Sequence, residues 1–83
     1  MKKEQKRYSY SVLYEAAPEG GFVAFVPALP GCHTQGETLE ETEKNIAEAI
    51  ELYLERLTAR CELIPQESKS FYGTVTIQTP VPA

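Results

Sequence analysis

The first part of the chain alternates between two faces. From Tyr8 to Glu15, Tyr8, Tyr10, Val12 and Tyr14 share one face, while Ser9, Ser11, Leu13 and Glu15 share the other. A period of two in aromatic and β-branched residues predicts a half-buried strand. Ala16-Ala17-Pro18-Glu19-Gly20-Gly21 is turn chemistry, because the two glycines allow a positive φ where a side chain would clash. Phe22–Val26 then completes a β-hairpin and is apolar on both faces, with Phe22, Ala24 and Val26 on one and Val23 and Phe25 on the other. The run Pro27-Ala28-Leu29-Pro30-Gly31-Cys32 stops this strand, since neither proline can donate a ladder hydrogen bond. His33-Thr34-Gln35, ended by Gly36, is long enough for a short third strand.

The period then changes to that of a helix of about six turns. Thr38 is a good N-cap and Glu41 stands at the third helical position, a capping box. Leu39, Ile46, Ile50, Tyr53 and Leu57 fall in one stripe, flanked by Ala49, Leu54 and Cys61. The opposite face is Glu41, Lys44, Glu48, Glu51 and Glu55, with Leu52 stranded among them. Beyond Pro65, Phe71 to Gln78 alternates again and predicts a last strand, followed by a flexible tail over 79–83. The expected fold class is α+β: an antiparallel sheet of three to four strands with one long helix on one face, in the order β-β-β-α-β. A single domain is expected over 1–83, with 1–7 as a basic N-terminal arm.

A consequence of coverage follows. One helix can roof only one face of the sheet, and Leu13, Val23 and Phe25 are expected on the other. An exposed apolar patch of that kind marks an interface. Leu52, alone on the acidic helix face, is the fourth candidate contact. The expected partner or oligomer interface is therefore Leu13, Val23, Phe25 and Leu52.

Composition narrows the functions. A chain of 83 residues has a small core, so association with a copy of itself or with a partner would help it. No apolar run approaches the roughly 20 residues needed to cross a bilayer. The basic start, Lys2, Lys3, Lys6 and Arg7 against Glu4, lacks the apolar segment of a signal peptide, so a cytoplasmic location is expected. Because that arm is basic and the net charge is −4, the remainder is acidic, repelling nucleic acid and attracting basic surfaces.

Little in the chain points to catalysis. There is no aspartate, and nearly all the glutamates lie on the solvated helix face or in loops, which argues against a two-metal nuclease site. His33 is the only histidine, and acid–base work by one histidine needs an orienting carboxylate or a nucleophile. Cys32 beside it would point to the opposite side of a strand. Cys32 and Cys61 make no disulfide framework, and with His33 they lack a fourth metal ligand. No glycine pattern cradles a phosphate. No catalytic residue, cofactor or metal is expected.

The motifs themselves carry a resemblance. Pro27-Ala28-Leu29-Pro30-Gly31-Cys32, then Thr34-Gln35-Gly36-Glu37-Thr38-Leu39-Glu40-Glu41, then Asn45-Ile46-Ala47-Glu48-Ala49-Ile50-Glu51-Leu52-Tyr53-Leu54 resemble the HicB-like antitoxins. The turn Pro18-Glu19-Gly20-Gly21-Phe22 is similar to that family's first turn, with Glu19 where aspartate is commoner. The resemblance implies a partial ribonuclease-H-like fold without a working metal site. It implies a domain that binds and blocks a small, basic, mRNA-cleaving HicA-like toxin. Many relatives carry a helix-turn-helix or ribbon-helix-helix module after the last strand; this sequence stops at Ala83, so direct DNA binding is not expected. The alternative is an orphan homo-oligomeric scaffold or regulatory protein of the same fold.

Overall fold

The computed structural model describes residues 7–67 and 71–81. Most of the basic arm and the last two residues of the tail lie outside the described residues. The elements are β1 (Leu13–Ala16), β2 (Phe22–Phe25), β3 (His33–Gly36) and α1 (Leu39–Ala59). The strands form one antiparallel sheet in the order β1-β2-β3, and α1 packs on β2 and β3. The class is α+β, as the two periodicities require.

The hairpin turn closes with Ala17 N–H donating to the Gly21 carbonyl and Gly20 N–H donating to the Ala17 carbonyl. Gly20 and Gly21 both hold positive φ, 108° and 80°. A Cβ on Gly21 would also lie 2.8 Å from the Gly36 carbonyl oxygen. The turn thus needs glycine there for space as well as for torsion.

β1 is shorter than its sequence pattern suggests. The register pairs Leu13 with Phe25 and Ala16 with Phe22, so two positions beyond Leu13 it sets Ser11 against Pro27. Proline has no N–H to offer, and the Ser11 N–H is taken by the Glu67 carboxylate at 2.7 Å. The ladder ends where its partner strand runs out of donors. Residues 8–12 continue without strand pairing.

The helix begins as expected. Thr38 Oγ1 accepts from Glu41 N–H, and Glu41 Oε1 accepts from Glu37 N–H, each at 3.0 Å. Its inner stripe is displaced from the one the apolar residues mark. Ile46 and Thr42 are buried, and Ala49, Ile50, Tyr53 and Leu54 pack against the core. Leu39 is 52 % exposed and Cys61 is exposed. Leu39 opens the helix and Cys61 follows its end.

The core also recruits a segment whose composition reads only as a turn. Leu29 is wholly buried and Cys32 nearly so, alongside Ala24, Val26 and Ile46. Three hydrogen bonds fold the Pro27–Cys32 corner back over the sheet: Val26 N–H to Cys32 O, Leu29 N–H to Val26 O, and Cys32 N–H to Leu29 O. Tyr53 holds the corner to the helix by donating its hydroxyl to the Pro30 carbonyl at 2.9 Å.

The predicted last strand does not form. Among the described residues, 71–81 carry no strand, and Phe71, Val75 and Ile77 are 90, 83 and 74 % exposed. The observed order therefore ends at α1. An isolated strand has nothing to satisfy its backbone, and no sheet edge lies against this one.

Candidate protein interface

Directly opposed residues of antiparallel strands share a face. Ala24 is buried under the helix and pairs with Tyr14 and Thr34, so these lie on the helix side. The intervening rows, Leu13–Phe25–His33 and Glu15–Val23–Gln35, lie on the other side. The structure thus brings Leu13, Val23 and Phe25 together on the face that α1 does not cover. All three are half-buried, while Glu15, His33 and Gln35 around them are exposed. Val23, Phe25, His33 and Gln35 line a shallow open depression there.

Leu52 does not join this patch. It lies on α1, 53 % exposed, between exposed Glu48, Glu51 and Glu55. The two candidate surfaces belong to different layers of the molecule.

Two features escape sequence reasoning. One is the tie between the chain after α1 and the approach to β1. The Tyr10 hydroxyl donates to the Pro65 carbonyl, and Ser11 gives both its N–H and its hydroxyl to Glu67, each at 2.7 Å. Those two bonds favour the charged carboxylate and hold Glu67 below the usual range. Burial, with Tyr8 and Glu67 nearby, pushes the Tyr10 phenol up. Tyr8 stacks beside Tyr10 with ring centroids 6.5 Å apart. Nothing in the residue types marks Ser11 and Glu67 as partners across 56 positions.

The other feature is an unused strand edge. In an antiparallel ladder, hydrogen-bonded and non-hydrogen-bonded pairs alternate. The bond from Ala17 N–H to Gly21 O makes Glu15–Val23 and Leu13–Phe25 the bonded pairs of β1. The backbone groups of Tyr14 and Ala16 therefore point away from β2, into the open. By the same rule Val26 to Cys32 makes Ala24–Thr34 a bonded pair, and Gln35 points outward from β3. That edge is partly closed, because Asn45 Nδ2 donates to the Gln35 carbonyl at 2.9 Å.

Candidate chemistry is sparse. Cys32 is buried, which pushes its thiol up and leaves it protonated and inert. His33 is exposed on the outer sheet face, on the opposite side of β3 from Cys32. Among the described residues no cluster of histidine, cysteine or carboxylate side chains has the arrangement of a metal site. Nor is any described helix long and apolar enough to cross a membrane.

Residues 10–76 match the family model of the HicB-like antitoxins of bacterial toxin-antitoxin systems. The chain belongs to the HicB-like antitoxin family. A UPF0150 protein of Synechocystis sp. is 53 % identical over 60 residues, covering 72 % of this chain and 76 % of the relative. One from Thermoplasma acidophilum is 46 % identical over 59 residues, covering 71 % and 86 %. A third, from Archaeoglobus fulgidus, is 48 % identical over 46 residues, covering 55 % and 67 %. The matched span takes in all three strands, the helix and the first six residues, 71–76, of the alternating segment after it.

Proposed function

We infer that this HicB-like domain is an antitoxin-type binding module that neutralises a small basic HicA-like mRNA-cleaving toxin by direct contact, in the cytoplasm and without catalysis of its own. The observation that carries the reading is the uncovered outer sheet face, where Leu13, Val23 and Phe25 form one apolar patch with a polar surround. An apolar centre with a polar rim is the anatomy of a protein–protein interface. The acidic helix adds a long-range field that draws a basic partner in, which affects capture rate more than final affinity. The absence of aspartate from the whole sequence fits a ribonuclease-H-like half that binds and does not cut.

Co-expression with a HicA-like toxin from the same genome tests this. Restored growth and a complex that survives purification are expected. A candidate toxin that is harmless alone and forms no complex would end the toxin-antitoxin reading. The second reading is a homo-oligomeric scaffold or regulatory protein without a toxin. It is favoured by one specific observation, the unpaired apolar segment at 71–78.

A further inference from the structure

One charged element of the chain has no use in capturing a basic partner. Residues 2–7 carry four of the eight lysine and arginine side chains against a single glutamate, while the remainder is acidic. Cations repel a basic toxin, so this cluster suits a different, anionic ligand. Arg7, the last of these cations, is exposed and leads straight into Tyr8 and Tyr10.

The two tyrosines make an aromatic surface beside that charge. Their rings are nearly parallel, 11° apart in plane, with centroids separated by 6.5 Å. Tyr10 is the fixed member: it packs against the core, and its hydroxyl donates to the Pro65 carbonyl. Tyr8 is half-buried and lies outside the core cluster. Arg7, Tyr8, Ser9, Tyr10, Gln66 and Glu67 line one shallow recess. Of these, exposed Gln66 brings an amide donor and acceptor, whereas Glu67 has both carboxylate oxygens on Ser11.

We propose that this recess binds single-stranded nucleic acid, with an unstacked base against the Tyr8 ring and the adjoining phosphates on Arg7. An aromatic platform next to a run of cations is the combination by which single strands are held. Tyr10 backs the platform, so little order has to be imposed on binding. Lys2, Lys3 and Lys6 precede Arg7 in the sequence and add to the attraction for a phosphate chain. The Glu67 carboxylate repels phosphate, so the backbone runs on the Arg7 side and the base turns towards the rings. Every base has a π-face, which makes sequence preference weak. A duplex offers no free base face to Tyr8 and is discriminated against.

This binding does not depend on the toxin reading, so the purified full chain alone tests it. The probes are fluorescently labelled oligouridylate and oligoadenylate of about ten nucleotides, their DNA counterparts, and a duplex of equal length. Anisotropy at low salt is expected to show micromolar binding of the single strands and at least about tenfold weaker binding of the duplex. Four cations predict a slope of log affinity against log salt of about −3, and Arg7→Gln should make it shallower by about 0.7. Tyr8→Ala should weaken binding by about tenfold, whereas Tyr8→Phe, which keeps the ring, should not. The chain has no tryptophan, so tyrosine emission is observable, and oligonucleotide should quench it less in Tyr8→Phe than in wild type. Tighter binding of RNA than of DNA would assign a contact to the 2′-hydroxyl, and equal binding would leave stacking and phosphate contacts as the whole of recognition. No single-strand binding at low salt overturns the proposal. So does duplex binding of equal strength, or an affinity indifferent to Tyr8→Ala, either of which would reduce the effect to the charge of the arm. Should Tyr8→Ala lose helical circular dichroism, the quenching difference between wild type and Tyr8→Phe decides.

Discussion

Gly36 passes so close to Thr42 that a β-carbon on the glycine would lie 2.6 Å from the threonine hydroxyl oxygen and 2.8 Å from its backbone nitrogen. This is where β3 turns into α1, with only Glu37 and Thr38 between the two elements. Thr42 cannot yield: it is wholly buried, and its hydroxyl donates to the Thr38 carbonyl at 2.7 Å. The glycine thus sets how closely the helix lies on the sheet.

Gly36→Ala is accordingly expected to destabilise the domain by about 1–3 kcal/mol, the range of overpacking into a rigid contact. Urea unfolding followed by circular dichroism measures it. A change under about 0.5 kcal/mol would show that the β3–α1 junction relaxes freely.

The helix ends in a Schellman motif with the wrong residue for it. Glu62 N–H donates to the Leu57 carbonyl and Cys61 N–H to the Thr58 carbonyl, and Cys61 holds φ at 57°. That left-handed position is normally glycine. Cys61 is exposed and lies outside the core cluster. Cys61→Gly should therefore stabilise the fold by roughly 0.5–1 kcal/mol, seen as a rise in the urea midpoint with an unchanged slope.

These two sites show what was legible in the sequence. The hairpin, the third strand and the capped helix announce themselves by short-range periodicity and turn residues. So does the second-face patch, since alternation alone assigns Leu13, Val23 and Phe25 to one side. Tertiary placement is different. Leu29 reads as part of a proline-bounded turn, and only the fold-back of Pro27–Cys32 buries it. Thr42 looks like a polar helix residue until Gly36 is seen against it. The segment 71–78 alternates as a strand does, yet it forms none among the described residues, because local periodicity does not supply the edge that a strand needs.

Ser11 and Glu67 give a pH-dependent clasp. Hydrogen bonding holds the Glu67 carboxyl below its ordinary value in the folded chain. A carboxylate whose folded value is depressed holds its tie above the unfolded value and loses it as pH falls through the depressed one. Acidification should thus free the Ser11 amide, read by nuclear magnetic resonance as faster exchange and a shift of its signal. Ser11→Ala removes the side-chain bond and keeps the backbone one, so the Glu67 titration should move part of the way back up. An unmoved titration would show that the hydroxyl contributes nothing to it.

Phe25 tests the proposed role of the outer sheet face. It lies at the centre of the outer face, between Leu13 on β1 and His33 on β3, and is half-buried without being part of the helix-side core. A carboxylate there keeps access to water in the free domain, so Phe25→Asp should leave the helical signal at wild-type size. In a complex with a HicA-like toxin the same carboxylate would be desolvated without a partner, at an interface centre where single side chains carry 1–2 kcal/mol or more. Affinity for the toxin should fall by at least about tenfold in a calorimetric titration. Loss of the folded state, with toxin affinity intact in whatever remains folded, would instead make Phe25 a core residue and remove the outer face from the account of binding.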